Sequence, residues 1–379
     1  MRSFALHGAQ VYDPEENRFL TKDIFVSGGR ICAEPAPDAR TLDVSGCLLT
    51  TGLIDFHVHY FNHGTENGVN PDARSFPCGI TTAVDAGSCG AGNVEAFLHG
   101  AAAQSDVTIY AQLLTASGGQ TTDRYPEHAE VQYLEHERIR ELFGRYPETL
   151  KGLKLRLSRN VLAPEEARAL LQETLRLAQT LGCAVCVHIT NPVLPLNEIA
   201  DALRPGDILC HIYQGRGETI LDEAGALRPA IRGAHERGIL LDGCNGGGNF
   251  DLEVCRATLR QGLYPDIISS DMNSSSAFLQ PLHSLPRIMS KYLDLGMPLD
   301  AVLHAVTAAP AQTIGHRELA SLRPGTPADL AVFRLLRKPM PYIDAAGHVL
   351  SGGQAIVPQL TMKRGQVVYC QSDFQIHPR

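Results

Sequence analysis

The sequence predicts an α/β fold, a (β/α)8 TIM-type barrel with a small discontinuous β-sandwich formed by the N- and C-terminal segments. Two patterns predict it. Eight short apolar runs alternate with amphipathic stretches through the middle of the chain, which is the signature of a parallel sheet closed by crossover helices. Both ends instead carry short β-type runs punctuated by polar turns, and neither end is long enough to bury a good core alone. The division reads as 1–50 and 320–379 for the sandwich and 51–319 for the barrel.

In chain order, β-type runs are expected from Phe4 to Val11, Lys22 to Val26, Arg30 to Ala33 and Thr41 to Leu49, separated by Asp13-Pro14-Glu15-Glu16-Asn17 and by Gly28-Gly29. The stretches Gly325–Phe333 and Pro358–Tyr369 return to the same grammar, so the two ends are expected to pair with each other. Between them, strands are expected at Ile54–His59, Thr81–Ala86, Thr108–Leu114, Gly152–Leu157, Ala184–Ile189, Ile208–Ile212, Ile239–Asp242 and Ile267–Asp271. Eight is the number such a barrel needs. The run from Pro164 to Ala178 shows what fills the gaps: a helical apolar period opened by Pro and two acids.

Apolar residues at 44% and charged residues at 20% describe an ordinary soluble globular chain without low-complexity segments. A net charge of −8 with no dense Lys/Arg cluster argues against nucleic acid as a partner. No apolar run approaches the roughly 18 residues of a membrane span. The stretch Met1-Arg2-Ser3-Phe4-Ala5-Leu6-His7 has no signal-peptide core, so a cytoplasmic protein is expected. Its ten cysteines are then expected as reduced thiols. Cys183 and Cys186 form a Cys-x-x-Cys with no second half. They sit on an apparent buried strand, facing opposite ways, and are expected as core cysteines.

The most informative stretch is Thr51-Gly52-Leu53-Ile54-Asp55-Phe56-His57-Val58-His59-Tyr60. Strand alternation puts His57 and His59 on one face, at the C-terminal end where parallel barrels keep their chemistry. Two such imidazoles can grip one metal ion; a structural pair is the alternative. Asp85, Lys154, His188, His211, Asp242 and Asp271 follow, nearly one per strand and each near a C-terminal edge. A packed barrel with no site has no reason to bury so many polar groups there. Lys154 is expected to lose its proton readily, because desolvation disfavours the ammonium. The neutral amine can add carbon dioxide, and the carbamate so formed offers two oxygens able to bridge two metal ions. His63, beyond the first strand, and Arg156, beyond Lys154, are candidates to meet a substrate carboxylate, with a solvated loop or a structural ion pair as the alternative for each. Asn273 and the serines after it either line the pocket or cap the next helix. Gly246-Gly247-Gly248 reads as an anion cradle or, more simply, a turn. No P-loop, Gly-x-Ser-x-Gly elbow or dinucleotide fingerprint is present, which removes serine-hydrolase and dehydrogenase readings.

Together, Gly52–His59, Gly152-Leu153-Lys154, His188, His211, Ser270-Asp271 and Gly325-Thr326-Pro327-Ala328-Asp329-Leu330 resemble the amidohydrolase superfamily, in the binuclear subtype shared by dihydroorotases, hydantoinases and isoaspartyl dipeptidases. Within it, Asn62-His63-Gly64-Thr65, Gly79–Ser88 and Glu198–His211 are similar to the bacterial amidohydrolase/deacetylase family, often labelled dihydroorotase-like. The resemblance implies that His57, His59 and Asp271 hold a buried metal, that His188 and His211 hold an exposed one, and that Lys154 bridges them as its carbamate. Zinc is the expected ion. It implies too that Asp271 is the catalytic residue, taking the proton of the attacking water and returning it to the leaving group. The chain departs from the subgroup at Gly243-Cys244-Asn245-Gly246, where Gly-x-His-Gly is usual, so Asn245 is a candidate for an altered substrate contact. The implied activity is cleavage of an amide or ester acyl group from a small carboxylate-bearing molecule, an N-acyl amino acid or an O-acyl hydroxy acid. Opening of a cyclic amide is the alternative. A non-catalytic scaffold is a further one, against which the full set of ligand candidates argues. The expected partner is a small-molecule substrate, in a symmetric homo-oligomer by default.

Overall fold

The computed structural model describes residues 2–374. Strands from the two ends form a four-stranded and a six-stranded sheet. In the larger one Leu48–Thr51 pairs antiparallel with Leu330–Ile343, which carries Val349–Lys363 and then Gln366–Cys370 beyond it. On the other side of Leu48–Thr51 lie Gln10–Asp13 and Arg18–Thr21. The two ends therefore interleave, and Leu6, Val26, Leu42, Leu49, Val332 and Leu360 share a core apart from that of the barrel. Two expected runs are each divided. Phe4–His7 and Gln10–Asp13 belong to different sheets, as do Arg40–Asp43 and Leu48–Thr51, because the chain turns between them to cross from one layer to the other.

The central sheet has seven parallel strands in sequence order: β1 (Leu53–Val58), β2 (Ile80–Gly90), β3 (Thr108–Leu114), β4 (Leu150–Arg156), β5 (Ala184–His188), β6 (Ile208–Cys210) and β7 (Leu240–Asp242). The eighth strand expected at Ile267–Asp271 is reduced to two isolated bridges, Asp242 with Ile267 and Val58 with Met272, which close the barrel. The reason is local. Ser270 donates its backbone N–H to Asp55 Oδ1 (3.0 Å) and its hydroxyl to Asp55 Oδ2 (2.5 Å), and Asp271 turns to φ 54°, so the backbone leaves the ladder. The seam still holds: Asp271 N–H donates to the His57 carbonyl and His59 N–H to that of Met272, both at 2.8 Å.

Helices cover the outside. Pro164–Leu181 opens with Pro and two glutamates, ends at Gly182 in the left-handed region (φ 65°), and buries Leu170, Leu171, Leu175 and Leu177 against the sheet. Each such leucine contributes about 2 kcal/mol. Parallel register sets Lys154 beside Cys186, Arg156 beside His188 and Cys210 beside Asp242, so the polar candidates gather at one rim. Among the described residues no helix is long and apolar enough to cross a membrane.

At the opposite, N-terminal base of the barrel, Lys363 fastens the terminal sheet. Its buried Nζ donates to Asp329 Oδ2 (2.6 Å), to the Thr81 carbonyl (2.9 Å) and to Thr108 Oγ1 (2.8 Å). Removing one partner of a buried pair leaves the other charge unsolvated. Lys363→Met is expected to lower the unfolding free energy by about 3–5 kcal/mol, read from urea denaturation; a loss under about 1 kcal/mol would mean that water reaches this junction.

Candidate metal centre

β1 delivers His57 and His59 to the rim, and the turn at Asp271 swings its carboxylate toward them. His59 Nε2 lies 3.2 Å and His57 Nε2 3.8 Å from Asp271 Oδ1. The tautomer of His59 follows from its other nitrogen. Ser88 Oγ donates to Asp85 Oδ2 (2.8 Å), so toward His59 Nδ1, 3.0 Å away, it can only accept. The ring proton is thus on Nδ1, and Nε2 turns a lone pair toward a carboxylate oxygen. Such a pairing is repulsive unless the ring takes up a second proton or a metal cation sits between.

His211 obeys the same logic. Its Nδ1 lies 3.3 Å from the Cys244 carbonyl, which only accepts, leaving the Nε2 lone pair for the site. His57 Nδ1 faces Asp242 Oδ2 at 3.6 Å, and both are buried polar atoms with no hydrogen-bond partner. The rings of His188 and His211 are 4.5 Å apart, and His211 is 5.0 Å from His57. His57, His59 and Asp271 form one group able to hold an ion, and His188 and His211 belong to a neighbouring one. Imidazoles whose second nitrogen is anchored on a hydroxyl or carbonyl, as in His59 and His211, are the usual ligands of catalytic metals, so the donors fit divalent cations.

Lys154 stands between the groups. Its fully buried side chain reaches 3.5 Å from His57 Nε2 and donates to Cys210 Sγ (3.1 Å) and Cys186 Sγ (3.5 Å). Gly87 makes room for it, since a Cβ there would lie 2.9 Å from Lys154 Cγ. The direction expected for its proton affinity is reversed. Burial pushes the ammonium toward losing its proton, but the Cys186 and Cys210 sulfurs beside it outweigh burial and raise its pKa. Cys186 is buried as expected of a core cysteine, yet its thiol faces the site. Alternation held the signal, since Cys186 and His188 are two residues apart on one strand. Ser88, which ends the Gly79–Ser88 stretch without an assigned role, and Asn249, whose Nδ2 donates to Asp271 Oδ2 (3.1 Å) and which no motif marked, are further site residues.

The four candidates for substrate contact differ in their surroundings. His63 is exposed in a left-handed turn (φ 63°) beyond β1. Arg156 pairs with Glu127 on the wall of a cavity of about 1080 Å³ lined by residues 117–128 and 132–135. Asn273 caps its own turn, with Oδ1 accepting from the Ser275 and Ser276 backbone N–H groups. Asn245 is buried and donates to the Gly243 carbonyl (2.7 Å), while its Oδ1 accepts from Lys291.

Comparison with known proteins shows the family of the chain. The chain is 32% identical over 335 residues to a deacetylase of Agrobacterium fabrum, covering 86% of this chain and 82% of the relative. It is 30% identical over 345 residues to a deacetylase of Brucella anthropi, covering 90% and 85%. The chain belongs to the amidohydrolase superfamily, in its deacetylase group. No family model matches. The crystal structure of a dihydroorotase, 27% identical, superposes with a TM-score of 0.89 over 98% of each chain. Members of this superfamily with this fold are metal-dependent hydrolases, and the rim cluster is where this chain would hold its metal.

Anchoring of His59 through Ser88 makes a specific claim. Ser88→Ala is expected to weaken metal binding roughly 10- to 100-fold in protein that still folds, as read by competition with a chromophoric chelator. Unchanged affinity would show that the hydroxyl does not set the ring.

Proposed function

We propose that the protein is a deacylase that hydrolyses the acyl amide or ester of a small carboxylate-bearing molecule, an N-acyl amino acid or an O-acyl hydroxy acid. The observation that carries this is the convergence of His57, His59 and Asp271 at 3.2–3.8 Å in a chain whose relatives over most of its length are named deacetylases. His57, His59 and Asp271 would hold one ion and His188 and His211 the second, with Lys154 between them as its carbamate. Nitrogen and carboxylate donors of this kind suit zinc. When bound, the cations supply Lewis acidity, which acidifies the attacking water and polarises the scissile carbonyl.

Asp271 moves the proton. Burial opposes its ionisation, but a positive charge held among His59, His57 and His211, on the rings themselves or on a cation they bind, overcomes that and holds the carboxyl well below the usual range, so it begins as an acceptor. Oδ1 faces the imidazoles while Oδ2, steadied by Asn249, is the oxygen turned away from them. Oδ2 takes the proton of the attacking water and returns it to the leaving nitrogen or oxygen. The thiols of Cys186 and Cys210 fill the floor under Lys154 and keep bulk water from it.

Asp271→Asn is expected to retain metal and lose roughly 10²- to 10⁴-fold in kcat, measured on N-acetyl amino acids, O-acetyl hydroxy acids and cyclic imides side by side. An active Asp271→Asn protein with intact metals would remove the proton role, and turnover of the imides alone would replace deacylation by ring opening. Protein grown with 13C-bicarbonate is expected to show one carbamate carbon resonance that Lys154→Met abolishes; its absence from the unsubstituted protein would contradict the bridging role of Lys154.

A further inference from the structure

Behind Asp271 lies a second cavity, of about 340 Å³, between the loop after β7, the helix Leu285–Asp294 and the hairpin formed by Leu330–Ile343 and Val349–Lys363. Gly246 is its link to the catalytic carboxylate. A Cβ at Gly246 would lie 2.3 Å from Asp271 Oδ2, so only glycine, here at φ 40°, lets the cavity wall pack directly against that carboxylate. On the opposite wall is Lys291. Its Nζ donates to Asn245 Oδ1 and sits 3.4 Å from the centroid of the Phe250 ring. Among the described residues no carboxylate oxygen lies within 4.0 Å of that ammonium, nor of the Arg287 guanidinium or the His283 ring on the same wall. The one acid lining the cavity, Asp344, uses its Oδ2 for the Leu252 N–H (2.7 Å) and for His348 (2.9 Å).

A half-buried cation with no carboxylate beside it either loses its proton or takes an anion from solution. Burial accordingly pushes the Lys291 ammonium down to about 7, which an arriving carboxylate would reverse. We propose that Lys291 is the anchor for the substrate's carboxylate, with Arg287 as its outer neighbour and Asn245 and Phe250 as positioning residues that aim the ammonium into the cavity. This rests on the deacylase reading and adds to it which end of the substrate is held where.

The test compares N-acetylglycine with N-acetylglycinamide, which differ in the charge of one group. Lys291→Gln is expected to raise KM for the acid roughly 10- to 100-fold, to leave kcat within about threefold, and to leave the amide unaffected. Lys291→Arg is expected to restore much of the loss, and Arg287→Gln to show a smaller loss confined to the acid. Equal losses on acid and amide, or none, overturn the proposal. To separate it from the deacylase reading, both compounds are titrated calorimetrically into zinc-loaded Asp271→Asn protein, where turnover plays no part. Preference for the acid that disappears with Lys291→Gln supports the anchor even if no acyl substrate is cleaved. No preference, or a preference that survives the substitution, overturns it.

Discussion

Lone pairs facing one another are the constraint on which the rim of this barrel depends. Ser88 fixes the proton of His59 on Nδ1, the Cys244 carbonyl does the same for His211, and the Nε2 atoms that remain look toward Asp271 or toward each other. Without a positive ion, such a cluster would be among the least stable features of the protein. With one, every anchoring contact around it acquires a purpose: Asp85 behind Ser88, Asp242 behind His57 and Asn249 behind Asp271.

The same constraint explains how the barrel closes. A regular eighth strand would have given Ser270 and Asp271 to a ladder. Instead the buried Asp55 takes both Ser270 donors, the backbone bends, and Asp271 reaches φ 54° with its carboxylate over β1. His211 adopts a similar left-handed conformation at φ 63°. Each costs on the order of 1 kcal/mol for a residue with a side chain, and both occur at proposed ligands. Of the seven described non-glycine residues with positive φ, these two turn a side chain inward, and the apolar layers below hold them there.

Much of this could be read from the sequence because it is written in short-range periodicity. Alternation along Leu53–His59 put both histidines on one face, and the ordered recurrence of His, Lys and Asp at strand ends marked the rim. The break at Gly8-Ala9, which sends Phe4–His7 and Gln10–Asp13 to different sheets, could not be read, since both halves look alike as β-type runs. Contacts made across space were equally hidden. Cys186 is a small apolar residue until Lys154 lies against it, and Lys291 is an ordinary helix residue until Asn245 and Phe250 enclose its ammonium. The effect of burial on Lys154 was sound in principle, but its direction was decided by two sulfurs contributed by other strands.

All of the chemistry rests on the rim cluster being a site for two cations, and elemental analysis of protein purified without chelator reads that directly. Close to two divalent ions per chain are expected, falling by about one when His188 and His211 are both replaced by alanine. A chain that takes up no metal, even after reconstitution with zinc and bicarbonate, would contradict the assignment of His57, His59, Lys154, His188, His211 and Asp271 as its ligands.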